Sequence, residues 1–69
     1  MENVNQVVRL HRFAELAPKD PEVHFALANE LARSSRHAEA IKELLIVIEL
    51  APNHLEGRKL LEQLARGEE

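Results

Sequence analysis

The sequence contains no cysteine, tryptophan or tyrosine, and only two glycines and two phenylalanines among its 69 residues. Without cysteine, the chain has no disulfide staple and shows no sign of a small secreted scaffold. It also lacks the basic start and continuous apolar stretch of a signal peptide, and no window approaches about 18 uninterrupted apolar residues. These absences predict a soluble, cytoplasmic protein without a membrane span.

Charge of either sign is not concentrated in any segment. The formal net charge is −3 and the nine basic residues are scattered, so the basic footprint that drives binding to a phosphate backbone is missing. The only aromatic residues, Phe13 and Phe25, provide few platforms on which bases could stack. We therefore expect no nucleic-acid partner. An apolar content of 45% with few glycines favours folded helices over disorder.

The chain contains an internal repeat. The segment Glu15-Leu16-Ala17-Pro18 recurs as Glu49-Leu50-Ala51-Pro52, an offset of 34 positions, which we call the sequence period. Five further pairs at the same offset are identical or similar in type: Leu10 and Leu44, Glu22 and Glu56, Leu27 and Leu61, Val7 and Ile41, Phe13 and Val47. A repeat at this spacing indicates that one structural unit recurs along the chain.

Proline and capping residues divide the chain into four helices. Pro18 and Pro52 each end a helix, because proline lacks a backbone donor and disfavours helical geometry in the residue before it. Asp20 is the expected cap of the second helix, with Pro21 at its first position, and Asn53 with an acidic residue three positions later signals the fourth. The predicted helices span about 3–17, 21–34, 37–51 and 53–66 of a single domain, 1–69.

With this sequence period and these helix pairs, the chain resembles the tetratricopeptide repeat, a helix-turn-helix unit that recurs about every 34 residues. The best-matched copy runs from Pro21 to about His54. Its matching positions are Leu27, Ala28 and Leu31 on the first helix, Ala40, Leu44 and Val47 on the second, and Pro52 at the end. His24 departs from the pattern, because it stands where the family usually has tryptophan, and Ser35 replaces the usual turn glycine.

The resemblance implies an all-α fold of four short antiparallel helices, stacked as right-handed helix-turn-helix units. One full repeat would be flanked by the second helix of an earlier repeat and the first helix of a later one. Another four-helix arrangement, such as an up-down bundle, is the alternative.

The family binds partners in a groove lined by the first helix of each repeat. Carried over residue by residue, this implies a partner-binding groove on the second and fourth helices, formed by Glu22, Phe25, Asn29, Arg33, Lys59, Gln63 and Arg66. An apolar anchor flanked by amide and cationic donors would suit an extended peptide or an acidic tail. The alternative is that the polar members form an ordinary hydrated face and Phe25 is buried against a neighbour. Capture of a terminal carboxylate is not expected, since such family members have a basic residue where Phe25 stands.

The third helix is apolar around most of its circumference. At helical spacing, its charged residues fall on one arc and its apolar residues, including Leu45, fall on the other. Ile46 and Leu50 break this order, because they lie within the charged arc. A helix of this kind requires partners on more than one side, which suggests self-association through Leu45, Ile46 and Leu50.

The number of repeats also favours association. About three repeat units are needed for a stable stack unless the ends are capped, and this chain has fewer. A two-fold homodimer, docking on another protein or membership of a longer parent chain would each complete the array. Two functions therefore stay open: an adaptor that binds a partner protein or peptide, and a structural module that oligomerises.

An enzyme is not expected. His11, His24 and His37 are evenly but widely spaced, so no two of them have the three- or four-residue spacing that places a metal-binding pair on one helix face. Ser34 and Ser35 lie near His37 but have no evident orienting acid, and helix capping is the simpler interpretation. The sequence predicts no catalytic residue, no metal site and no cofactor.

Overall fold

The computed structural model describes residues 3–67, with side chains from residue 6 onward, so the ends of the predicted domain lie outside it. The chain forms four helices and, in the described residues, no strand, which confirms the predicted all-α fold. Consecutive helices contact one another across turns of three or four residues, so neighbours run antiparallel. No helix in residues 3–67 is long and apolar enough to cross a membrane. The helices are α1 (Asn3–Leu16), α2 (Pro21–Arg33), α3 (His37–Leu50) and α4 (Leu55–Ala65).

Helix α2 begins as its sequence predicts. The Oδ1 atom of Asp20 accepts a hydrogen bond from the backbone N–H of Glu22 at 3.0 Å. Pro21 occupies the first helical position, where a missing N–H leaves no hydrogen bond unmade. The carboxylate of Glu22 also complements the positive end of the helix dipole.

Helix α2 ends in a Schellman turn with serine in the position that usually belongs to glycine. The N–H of Arg36 donates to the carbonyl of Leu31 at 2.8 Å, and the N–H of Ser35 donates to that of Ala32 at 3.1 Å. Ser35 has a φ of 62°, in the left-handed region that costs a residue with a Cβ atom about 1 kcal/mol or more. The turn is therefore formed at the expense of local strain.

Helix α4 begins at Leu55, two residues after the predicted start, and its N-cap is His54 rather than Asn53. The Nδ1 atom of His54 accepts a hydrogen bond from the N–H of Gly57 at 2.9 Å. Gly57 leaves room for this contact: a Cβ atom there would lie 3.0 Å from both His54 Nδ1 and Val47 Cγ1. The absent side chain thus allows the start of α4 to approach α3 closely.

The turns after α1 and α3 have the same backbone hydrogen bonds, displaced by one sequence period. In the first turn the N–H of Asp20 donates to Ala17 at 3.1 Å, and in the second the N–H of His54 donates to Ala51 at 2.9 Å. Further matched bonds run from Ala17 to Phe13 and Ala51 to Val47, and from His24 to Asp20 and Arg58 to His54. The sequence period is therefore also a period of the backbone at these two corners.

A side-chain contact repeats at the same corners although the residue types differ. The Nε2 atom of His24 donates to the carbonyl of Pro18 at 2.8 Å, and Nη1 of Arg58 donates to the carbonyl of Pro52 at 3.3 Å. Each contact joins the proline that ends one helix to the first turns of the next helix. The two prolines thus occupy equivalent corners.

The core lies where α2 and α3 face each other, with α1 and α4 on either side. Ala28 and Ala40 are both fully buried, and small residues at such positions let two helices approach closely. The buried cluster consists of Val7, Ala14, Leu27, Ala28, Leu31, Ala40, Leu44 and Leu64, and Val47 is fully buried as well.

Candidate functional site

A cavity of about 310 Å³ lies between α2 and α4. Asn29, Ala32 and Arg33 form its wall on α2, and Leu60 and Leu64 form its wall on α4. We call this cavity the α2–α4 groove. Its volume is at the lower end of the range typical of ligand sites, so it has room for a short segment of an extended chain.

The groove combines an apolar wall with two polar side chains on the opposite helix. Leu60 and Leu64 provide apolar surface that stabilises a bound apolar side chain through burial. Asn29 carries an amide that both donates and accepts, and Arg33 carries an exposed guanidinium. The amide matches the hydrogen-bonding groups of a peptide backbone, and the guanidinium matches a carboxylate.

Of the predicted groove residues on α2, Asn29 and Arg33 line the cavity, whereas Glu22 and Phe25 do not. The predicted residues at the α4 side do not line it either: Lys59 and Gln63 on α4, and Arg66 at the C-cap of α4, are exposed to solvent. Two helices that follow one another in a stack face each other with opposite flanks. Adding one sequence period to the positions of Phe25 and Asn29 therefore selects Lys59 and Gln63, which face solvent. The residues of α4 that face α2 are the adjacent leucines, Leu60 and Leu64.

Phe25 and Glu22 lie near the start of α2, around the ring of His54. The rings of Phe25 and His54 are 4.8 Å apart at their centroids, and Phe25 is partly buried against the core. The Nε2 atom of His54 lies 2.9 Å from Oε2 of Glu22, whose side chain is 71% exposed. Phe25 thus packs against a neighbouring ring and does not line the α2–α4 groove.

The sequence prediction missed His54 as a member of this arrangement. Because Nδ1 of His54 accepts from Gly57, Nε2 carries the hydrogen that is donated to Glu22. One neutral tautomer therefore satisfies both contacts. The signal was present in the chain, since His54 follows the cap residue Asp20 by one sequence period.

A second polar arrangement is buried between α2 and α3. His24, only 6% exposed, places Nδ1 2.7 Å from Oε1 of Glu43 and Nε2 2.8 Å from the carbonyl oxygen of Pro18. Both partners accept hydrogen bonds, so the doubly protonated imidazolium is the form that satisfies both ring nitrogens. His24 thus joins the α1–α2 turn, α2 and α3 at one point.

This environment raises the pKa of His24. Burial acts to lower the pKa, but hydrogen bonds to Glu43 and Pro18, with the negative charges of Glu43 and Asp20, outweigh burial and raise it above 6.5. No group of three or more potential metal-ligating side chains occurs in the part of the chain that the structure describes. Because it joins α2 to α3 through one buried contact, we call the His24–Glu43 pair a clamp between helices.

The outer surface of α3 differs from the arc predicted by periodicity alone. Leu45, which the periodicity groups with the packed residues, is 55% exposed, and Ile46, grouped with the charged arc, is half-buried. Leu50 is 37% exposed. Helical periodicity therefore did not predict which apolar residues of α3 the neighbouring helices cover.

A separate depression lies on the outer side of α1 and was not predicted. Val8, Arg9, Arg12 and Phe13 line a volume of about 360 Å³. Val8 is 57% exposed and Phe13 is 47% exposed. Because a single helix forms this depression, it has no opposing wall, unlike the α2–α4 groove.

No family model, curated protein or solved structure matches this chain.

Proposed function

We propose that this chain is a non-catalytic, tetratricopeptide-like interaction module that binds an extended segment of a partner protein in the α2–α4 groove. The observation that carries the proposal is the cavity of about 310 Å³ with leucines on one wall and Asn29 and Arg33 on the other. Apolar surface provides binding free energy, and a few convergent polar groups orient the ligand.

The chemistry of the groove defines the ligand class. A leucine wall accepts one apolar side chain, the Asn29 amide bonds to a peptide backbone, and the Arg33 guanidinium pairs with an acidic side chain. The expected ligand is therefore an extended peptide with an apolar residue close to an aspartate or glutamate. The repeated corners at Pro18 and Pro52 support the resemblance to a helical repeat family that binds peptides in such grooves.

A peptide library displayed on phage, selected on the immobilised full chain, tests this proposal. Affinities of the selected peptides should then be compared between the wild type, Asn29→Ala and Arg33→Ala by titration calorimetry. Loss of a hydrogen bond to a charged group costs about 1.5–3 kcal/mol, so Arg33→Ala should weaken acidic peptides by roughly tenfold to a hundredfold.

Lys59→Ala is the matched control, because Lys59 is also an exposed cation but does not line the cavity. The selected peptides should bind Lys59→Ala with an affinity close to that for the wild type. Selected peptides that bind all three variants with wild-type affinity would exclude the groove as their site.

A second proposal is self-association through α3. It is supported by Leu45, which is 55% exposed between the half-buried Ile41 and Ile48. The two proposals use different surfaces, so the chain can bind a peptide as a monomer or as a dimer.

A further inference from the structure

One face of α3 carries an apolar seam that the neighbouring helices cover only in part. Ala38, Ile41, Leu45 and Ile48 follow one another at spacings of three, four and three residues, which is the pattern of a helix that pairs with another helix. Ala38 and Leu45 are exposed, while Ile41 and Ile48 are half-buried. We call these four residues the α3 seam.

The α3 seam is the open counterpart of a covered surface on α1. Val7 and Ala14, which precede Ile41 and Ile48 by one sequence period, are only 3% and 9% exposed. The position between them on α1 is His11, whereas the corresponding position on α3 is Leu45. The α3 seam is thus larger, more apolar and more exposed than its equivalent on α1, which is typical of an interaction surface.

A further helical repeat in the same register does not fit this end of the stack. Such a helix would pack on α4 as α3 packs on α2, where Ala28 and Ala40 are both fully buried. The residue of α4 that corresponds to Ala28 is the exposed Glu62. Close packing there would bury the Glu62 carboxylate, which now lies exposed 3.7 Å from the guanidinium of Arg66, and taking this exposed charge pair out of water is unfavourable. The molecule that covers the seam therefore contacts α3 rather than α4.

We propose that a second copy of this chain covers the C-terminal half of the seam, Leu45 and Ile48, with the two α3 helices antiparallel about a two-fold axis. This inference rests on the proposed self-association and specifies its geometry. Leu45 packs against the partner's Ile48, and Ile48 packs against the partner's Leu45. In this register Lys42 lies within two residues, about 3 Å along the axis, of the partner's Glu49.

The charges beside the seam select this register. Lys42 and Glu49 are both exposed and are seven residues apart, so they project from the same flank of α3. The two-fold axis makes the Lys42–Glu49 contact occur twice. Sliding the helices by one heptad would instead pair Ile41 with the partner's Leu45 and bring Lys42 against the partner's Lys42. Both registers pair apolar residues, but only the first pairs opposite charges.

Charge reversal tests the geometry in solution. Lys42→Glu and Glu49→Lys should each weaken the dimer, because each replaces two attractive contacts with two repulsive ones. Exposed ion pairs are individually weak, so the expected change in the dissociation constant is about tenfold for each variant. Sedimentation equilibrium from micromolar to millimolar concentration measures it, and circular dichroism checks that helix content is unchanged.

Mixing the two variants provides the decisive control. In the mixed dimer the new carboxylate at position 42 faces the new ammonium at position 49, and the native Glu49 faces the native Lys42. Affinity should then return to near the wild-type value, as it should in the double variant Lys42→Glu/Glu49→Lys.

The outcomes separate the geometry from the underlying self-association. A wild type that is monomeric throughout the concentration series overturns both the self-association and its geometry. A wild-type dimer in which Glu49→Lys has no effect, or in which mixing restores nothing, overturns this geometry alone. Peptide binding in the α2–α4 groove is measured independently of either result.

Discussion

Nδ1 of His24 lies 2.7 Å from Oε1 of Glu43, and this buried pair joins α2 to α3. The other ring nitrogen of His24 donates to the carbonyl of Pro18, in the turn after α1. Three consecutive elements of the chain are therefore linked through one imidazole.

We expect the stability of the protein to decrease as the pH rises above about 6.5. The pKa of His24 is raised in the folded state, so folding favours the protonated form. Its contribution is fully present below the unfolded pKa of about 6.5 and is lost as the pH rises through the higher folded pKa. Urea unfolding between pH 6 and pH 9 measures this change, with His24→Gln as the control that lacks the titrating group.

Glu43→Gln tests the cause of that pH dependence. The substitution keeps a hydrogen-bonding side chain beside His24 but removes the negative charge, so the pKa of His24 should fall. Titration of the His24 ring signals by NMR reads the pKa directly in both proteins. If His24 titrates at or below 6.5 in the wild type, the clamp does not hold an imidazolium.

Ser35→Gly should stabilise the protein. Ser35 has a φ of 62°, which glycine adopts without the steric cost of a Cβ atom. We expect the free energy of unfolding to rise by about 0.5–1 kcal/mol, measured by urea denaturation. Ser34→Gly is the matched control, because Ser34 has an ordinary φ of −93°. That variant should lose about 0.5 kcal/mol, and an equal response of both variants would show that strain at Ser35 is absent.

His54→Ala should destabilise the start of α4. The substitution removes the acceptor for the N–H of Gly57 and the ring that packs against Phe25. We expect a loss of about 1 kcal/mol from the cap alone, with faster amide exchange in the first turn of α4. His54→Asn retains a capping acceptor and should recover part of this loss.

Glu22→Gln should change stability little, because the Glu22 side chain is mostly exposed.

Much of the fold was predictable because its signals are local. Pro18 and Pro52 stop helices through their own backbone chemistry, and Asp20 caps α2 through a contact two residues away. The sequence period predicted that the two proline corners would be alike, and their hydrogen bonds are alike.

The features that the sequence did not predict depend on contacts between residues that are distant in sequence. His24 and Glu43 belong to different helices, and nothing in either local segment indicates that they pair. The exposure of Leu45 depends on where α2 and α4 pack around α3, which helical periodicity does not specify. The same limit applies to the groove, where the rotation of α4 turned Leu60 and Leu64 toward α2 and left Lys59 in solvent.

The most direct test of the account is an NMR titration of the isotopically labelled chain with a library-selected acidic peptide. We predict that the amide signals that shift most are those of Asn29, Arg33, Leu60 and Leu64, which line the α2–α4 groove. Shifts confined to Val8, Arg9 and Phe13 on the outer side of α1, with the groove signals unchanged, would contradict it.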